Sequence, residues 1–161
     1  MQNEMIDRAV VDGRLMKSAA QNIKALLSGA ASELYGEVVT ELIEAGAWSE
    51  LNDRFYKTLA FGTGGLRGRT VGKIVTRAER GNSPDDSPPQ FPCVGTNAMN
   101  FYNIARATRG LVTYLHDWFA KQHSLGTPKI VIAHDTRFFS KEFCALAAKV
   151  AAENGCDAFV F

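Results

Sequence analysis

The sequence holds only three cysteines, Cys93, Cys144 and Cys156, and no Cys-x-x-Cys pair. An odd number without paired spacing gives neither a disulfide framework nor a zinc site, so the three read as small buried apolar residues. Nowhere does an apolar run approach the roughly 20 residues that cross a bilayer. The acidic residues near the amino terminus also interrupt any signal-peptide core. A cytoplasmic protein with no membrane partner is the expectation. Charge of one sign is missing as well, since 18 Lys and Arg stand against 17 Asp and Glu for a net charge of +1. A general nucleic-acid binder carries a strong basic excess, so no nucleic-acid partner is expected. The Gly-Lys-Ser/Thr triplet that closes a P-loop is absent too.

What is present is an ordinary globular composition, 46% hydrophobic and 22% charged over 161 residues, enough for a real core. Its most informative run is Phe61-Gly62-Thr63-Gly64-Gly65-Leu66-Arg67-Gly68. The glycines free the backbone to approach a ligand, successive N–H groups form an anion-binding concavity, and a guanidinium forks onto phosphate oxygens. Thr63 adds a hydroxyl and Arg69 a second cation. Thr63, Gly64, Gly65 and Arg67 are therefore the candidate phosphate-binding residues; the bland alternative is a glycine-rich turn with a solvated arginine. A dinucleotide fingerprint fails, because Arg67 stands where its last glycine belongs and no strand precedes it. Arg67, Arg69, Lys73, Arg77 and Arg80 face only Glu79 within this stretch, which suits a small phosphorylated ligand, although Arg77 and Arg80 read better as solvated.

Upstream, Leu15, Met16, Ala19, Ala20, Ile23, Leu26 and Leu27 make a helical stripe ended by Gly29. Leu34, Val38, Leu42 and Ile43 make a second, ended by Gly46. Trp48, Leu51, Phe55 and Leu59 continue the period, with Ser49 as N-cap. After the glycine run, Val71 and Ile74-Val75 suggest a short strand. The stretch from Gly81 to Pro89 has three prolines and no apolar side chain, which gives a disordered surface insertion between about Lys73 and Pro92. A long helix from about Asn100 or Asn103 carries Ile104, Ala107, Leu111, Tyr114, Leu115 and Trp118 as its core face and stops by Gly126 and Pro128.

The remainder reads as a βαβ unit. Ile130 to Ala133 form a buried strand, Ser140 caps a helix whose Phe143, Leu146 and Val150 point inward, and Ala158 to Phe161 form a parallel second strand. His134, Asp135 and Arg137 then sit at the carboxyl end of the first strand, where open α/β sheets hold ligands. They are a candidate active-site rim; equally, Asp135 and Arg137 could be an ion pair that holds the loop. No second His or Cys lies at metal spacing from His134, and no metal ligands are assigned. The second strand stops at Phe161, which reads as the N-terminal piece of a longer protein with an open strand edge for self-association.

The glycine run, Gly95-Thr96-Asn97-Ala98-Met99-Asn100, the helix through Ala107 to Leu115, and Ala133-His134-Asp135-Thr136-Arg137-Phe138-Phe139-Ser140 together resemble the α-D-phosphohexomutases, the phosphoglucomutase/phosphomannomutase family, in its long-chain branch with a helical N-terminal extension. Ala98 departs from the pattern, where similar proteins often carry arginine. The resemblance implies a helical extension over residues 1–60 and a truncated domain I over residues 61–161, a three-layer αβα fold with a mixed sheet. It implies an intramolecular phosphotransferase that interconverts hexose 1-phosphate and hexose 6-phosphate through a phosphoserine and a hexose 1,6-bisphosphate. The phosphoserine and the Mg2+ ligands would lie beyond Phe161, so these residues alone would be inactive. Arg67 would act as electrostatic stabiliser. Rival classes are a non-catalytic phosphosugar-binding domain and an interaction protein built on the N-terminal helices.

Overall fold

Apolar side chains recurring at three- and four-residue steps bury one stripe of each helix, and the first half of the chain is built this way. The computed structural model describes residues 2–29, 32–62, 64–123 and 125–161. They divide into two compact units, one up to Asn100 and the other from Phe101 to Phe161. The first contains α1 (Gln2–Val11), α2 (Lys17–Gly29), α3 (Leu34–Glu44), α4 (Trp48–Phe55), the short strands β1 (Phe61–Gly62) and β2 (Gly65–Leu66), and α5 (Arg77–Arg80). Its core joins Ile6 and Ala9 of α1, Ala19, Ile23 and Leu26 of α2, Val38, Val39 and Leu42 of α3, and Leu51 and Phe55 of α4, all buried.

The two expected stripes become α2 and α3, and Gly46 takes the left-handed φ of 63° just beyond α3, as a helix stop requires. α4 differs from its reading. Its N-cap is Ala47 without a side-chain bond, so Ser49 lies within the first turn and caps nothing. The helix ends at Phe55, and Leu59 is buried beyond it, its N–H donating to the Thr96 carbonyl at 2.7 Å.

Val71, Ile74 and Val75 form no strand. Side chains have taken the backbone groups a ladder would use: the Arg54 guanidinium donates to the Ile74 carbonyl at 2.5 Å and the Lys73 N–H donates to Glu50 at 3.2 Å. The proline-rich stretch is likewise not the unstructured insertion its composition suggests. Arg80 Nη1 donates to the carbonyls of Pro84 and Ser87, the Asn82 N–H donates to Gln90 Oε1, and Pro89 is buried. One arginine thus closes the turn through local bonds from its side chain to main-chain carbonyls, which composition does not reveal.

The second unit contains α6 (Phe101–Lys121), β3 (Lys129–Ile132), α7 (Ser140–Glu153) and β4 (Asp157–Val160). β3 and β4 pair in parallel with Lys129 opposite Asp157 and Ile132 opposite Val160, as the βαβ pattern requires. Val112, Ala151 and Cys156 form the core, with Leu115, Ile130 and Ala158 packed on it. Phe101 and Phe143 meet edge to face at 5.6 Å between centroids. On α6 the buried residues are Asn103, Thr108 and Val112, whereas Leu111, Tyr114 and Trp118 are 49%, 63% and 45% exposed. The face that packs on α7 is therefore rotated from the one the aromatic residues suggest. Ser140 does not cap α7 either: Phe139, with a left-handed φ of 65°, holds the N-cap position.

Candidate anion site

Among the described residues, the cations from Arg67 to Arg80 divide into those paired with carboxylates by the fold and one that is not. α4 places Glu50 and Arg54 one turn apart, beside the core residues Leu51 and Phe55 and on the same buried side. Arg54 has no exposed surface, and a buried charge is tolerated only when paired and fully hydrogen-bonded. Its Nε donates to Glu50 Oε1 at 2.8 Å, Nη1 to Glu79 Oε1 at 2.6 Å and to the Val94 carbonyl at 3.2 Å, and Nη2 to the Ile74 carbonyl. Burial disfavours the charged guanidinium, but its interaction with Cys93 and its bonds to Glu79 and Glu50 outweigh that and hold its pKa above the ordinary arginine value.

Glu79 completes the pairing. Its carboxylate also accepts the N–H of Val94 at 2.8 Å and both the N–H and the hydroxyl of Thr76 at 3.0 Å. It is thereby the acidic half of a capping box at α5. The carboxylate of Glu41 in α3 accepts the N–H groups of Arg77 and Ala78, satisfying the next two donors of the same turn.

The cations of the run divide by their partners. Arg69 Nη2 lies 2.8 Å from Asp53 Oδ2 and 3.5 Å from Glu50 Oε1, and Lys73 Nζ lies 3.2 Å from the same Asp53 oxygen. Arg77 faces Glu41 at 3.5 Å and Arg80 faces Asp85 at 3.7 Å. Arg67 is exposed and, among the described residues, has no carboxylate within ion-pair distance. It leaves the β1–β2 hairpin, in which Phe61 pairs with Leu66 and Gly62 with Gly65. Gly64 and Gly65 hold φ of 78° and 143° at its turn, a geometry that favours glycine. A side chain built at Gly64 would come within 3.9 Å of Arg67 Nη2, so the guanidinium lies over the turn. Thr63 lies outside the described residues. Gly64, Gly65 and Arg67 are thus brought together, while the second expected cation, Arg69, is committed to carboxylates.

The rim candidates belong to the second unit. Asp135 and Arg137 form a tight pair: Oδ2 accepts from Arg137 Nε at 2.8 Å and lies 2.7 Å from Nη2, and Oδ1 accepts the Arg137 N–H at 3.0 Å. The Asp135 N–H donates to Ser140 Oγ. The Arg137 side chain, its N–H and Ser140 hold the Asp135 carboxyl well below the usual carboxylate range. His134 Nδ1 lies 3.2 Å from the Asp135 carbonyl oxygen. This is the geometry of the loop-holding ion pair.

No three His, Cys, Asp or Glu side chains gather into a cation site among the described residues. The nearest carboxylates to the loop are engaged by Arg54, Arg69 and Lys73, so the donor set does not fit a divalent ion. Glu50, Arg54 and Glu79 were not singled out by the sequence reading. A signal existed, since Glu50 and Arg54 flank Leu51 and Phe55 on an apolar helix at salt-bridge spacing.

Cys93, buried beside this network, supplies a pH test. Burial pushes its thiol up to about 11, against the pull of Arg54. The folded chain keeps a proton that the unfolded chain releases above about pH 8.5. This contribution is full below that pH and is lost as pH rises toward 11. Urea melts should show wild type losing about 3 kcal/mol more than Cys93→Ala between pH 8 and 11; parallel losses would contradict the assignment.

An antiparallel glycine turn beside an exposed arginine, and a βαβ unit with an ordered loop after its first strand, define an α/β protein by class. Residues 93–161 match the family model for the phosphoglucomutase/phosphomannomutase α/β/α domain I. A phosphoribomutase of Saccharomyces cerevisiae is 30% identical over 112 residues, which cover 70% of this chain and 14% of that protein. A phosphoglucomutase of Staphylococcus saprophyticus is 28% identical over 123 residues, covering 76% of this chain and 17% of that protein. No solved structure matches the chain. These matches support the phosphohexomutase family, in an N-terminal domain portion that spans under a fifth of either relative's length, and the α/β/α fold class.

Proposed function

We propose that this chain is the N-terminal part of a cytoplasmic phosphohexomutase and that Arg67, with the backbone amides around Gly64 and Gly65, binds the transferred phosphate. The observation that carries this reading is the division of charge: Arg54, Arg69 and Lys73 are committed to carboxylates, and Arg67 is exposed over the turn without one. A guanidinium so placed binds two phosphate oxygens through its fork without first giving up a carboxylate.

In the complete enzyme a phosphoserine supplied from outside these residues gives its phosphoryl group to the free hydroxyl of a hexose 1- or 6-phosphate. The serine takes up the hydroxyl proton, and a bisphosphate forms. After the sugar reorients, its other phosphoryl group returns to the serine. Magnesium, general in the family, would neutralise phosphate charge when bound; its ligands are not among the residues described here. The role of this chain is narrower. Arg67 faces the charge spread over the equatorial oxygens during transfer, and the glycines let the amides approach it, which is where phosphoryl transfer is chiefly accelerated. His134, Asp135 and Arg137 are assigned to the active-site rim, with the Asp135–Arg137 pair fixing the loop rather than binding the reacting group.

Titration of the chain with inorganic phosphate, glucose 1-phosphate and ribose 1-phosphate, followed by amide NMR, tests the proposal. Shifts at Gly64, Gly65 and Arg67 are expected with affinity near 1 mM, about 4 kcal/mol, and Arg67→Ala should weaken binding by about tenfold or more. In a full-length mutase carrying this domain, Arg67→Ala should lower turnover by roughly a hundredfold, as loss of one preorganised donor does, with Arg67→Lys recovering part. Unchanged phosphate binding by Arg67→Ala refutes the site.

A further inference from the structure

We infer that Arg54, clamped by Glu79 and Glu50, is the positioning residue of the anion site: it fixes the segment that follows Arg67 so that the free guanidinium is presented over the glycine turn. The inference rests on the anion-site reading above. Arg54 cannot touch the ligand itself, because every donor nitrogen of its fork is occupied inside the protein. Its influence runs through two backbone segments. The first is residues 93–100. Val94 is bonded to both Arg54 and Glu79, the Asn97 N–H donates to the Arg54 carbonyl at 2.9 Å, and a Cβ on Gly95 would stand 2.8 Å from that carbonyl oxygen. This segment therefore lies flat on the Arg54 backbone.

The second segment is the one that leaves Arg67. A Cβ on Gly68, the next residue, would stand 3.0 Å from Met99 N and 3.3 Å from the Ala98 carbonyl carbon. The Met99 N–H donates to the Arg69 carbonyl at 2.9 Å, and the Cys93 N–H donates to the Thr70 carbonyl at 2.8 Å. Residues 68–70 are thus laced to 93–99, which Arg54 holds, and the next turn is held directly through Ile74 and, by way of Glu50, through Lys73. Glu50 also draws Arg69 inward, removing a second cation that would compete for the ligand. A buried ion pair is by itself weak evidence for stability. What this one adds is geometry, since a bidentate fork aimed at two carboxylates and two carbonyls admits one arrangement of the loop.

Arg54→Lys keeps the charge and removes the fork; Glu79→Gln keeps the shape and removes one charge. Leu51→Ala, in the same helix but outside the clamp, matches their loss of stability through a core cavity. Each is titrated with inorganic phosphate at a temperature where thermal melts show it folded, and the Arg67 Nε–H signal is followed by NMR. Arg54→Lys should bind phosphate at least about tenfold more weakly, with a broadened Arg67 signal, since small misplacements of a binding group carry large losses. Glu79→Gln should lose several-fold, and Leu51→Ala should bind as wild type. Should Arg54→Lys fail to fold, Glu79→Gln decides. Wild-type affinity in a folded clamp variant, or an equal loss in Leu51→Ala, overturns the inference. Undiminished binding by Arg67→Ala refutes the anion site instead, so the two failures are distinguishable.

Discussion

Arg54→Ala is expected to remove about 3–5 kcal/mol from the stability of the first unit, the range for deleting one partner of a buried ion pair. The loss has three sources. Glu79 is left with a carboxylate buried among Thr76 and Val94, and Glu50 loses its nearest cation. The carbonyls of Ile74 and Val94 lose their donor, and a space the size of the side chain opens under α4. Against a typical total of about 5–15 kcal/mol, such a loss brings the unit near its unfolding threshold. Replacing all three charges by apolar residues, which is near neutral in some proteins, should not rescue it here. Glu79 and Glu50 also accept four backbone or hydroxyl donors, from Thr76 twice, Val94 and Lys73, and each orphaned buried donor costs about 1–3 kcal/mol. The measurement is a urea melt followed by Trp48 fluorescence in a Trp118→Phe background, which silences the second unit. A change under about 1 kcal/mol would show that Arg54 is dispensable.

The contrast with what the sequence revealed lies in the range of the forces. α2, α3 and the β3–α7–β4 unit are written in local periodicity, because the spacing of each stripe or strand is visible within 15 residues; the expected burial of the first strand is not met, since Val131 is exposed and Ile130 and Ile132 only half-buried. The clamp is not local. Arg54 reaches residues 20, 25 and 40 positions ahead, and no window around Val71 or Ile74 reports that their backbone will be satisfied by a side chain from α4. The proline-rich turn escaped for a different reason: its bonds are local, but they run from the Arg80 and Gln90 side chains to main-chain groups, which composition does not report. For α6 the period was right and the phase partly so: Leu115 packs on the core and Ile104 and Ala107 are half-buried, but Leu111, Tyr114 and Trp118 are exposed and the helix turns Val112 inward. Gly64, Gly65 and Arg67 were legible because turn, amide and guanidinium chemistry are properties of adjacent residues. That, among the described residues, Arg67 differs from Arg69, Lys73, Arg77 and Arg80 in having no carboxylate partner was not, since it depends on where α4 puts Asp53 and Glu50.

Glycines in and beyond the run are required for different reasons, and a matched pair of substitutions should separate them. Gly64→Ala meets open space, with Arg67 Nη2 its nearest neighbour at 3.9 Å. Its cost is the strain of a Cβ at φ 78°, about 1–2 kcal/mol. Gly72 has no left-handed φ, yet a Cβ there would run into Arg54 Nη2 and stand 2.7 Å from the Ile74 carbonyl oxygen. Arg54 cannot retreat, since Glu79 and the Val94 carbonyl hold the guanidinium from its other edge. Gly72→Ala should therefore cost about 3 kcal/mol, the upper end of overpacking. A double-mutant cycle identifies the cause. In an Arg54→Ala background the methyl group enters vacated space, so Gly72→Ala should cost at least about 1 kcal/mol less than in wild type, a coupling of the size found between touching residues. Strict additivity in urea melts would mean that the backbone at Gly72 moves aside on its own, and that the clamp does not grip the loop there.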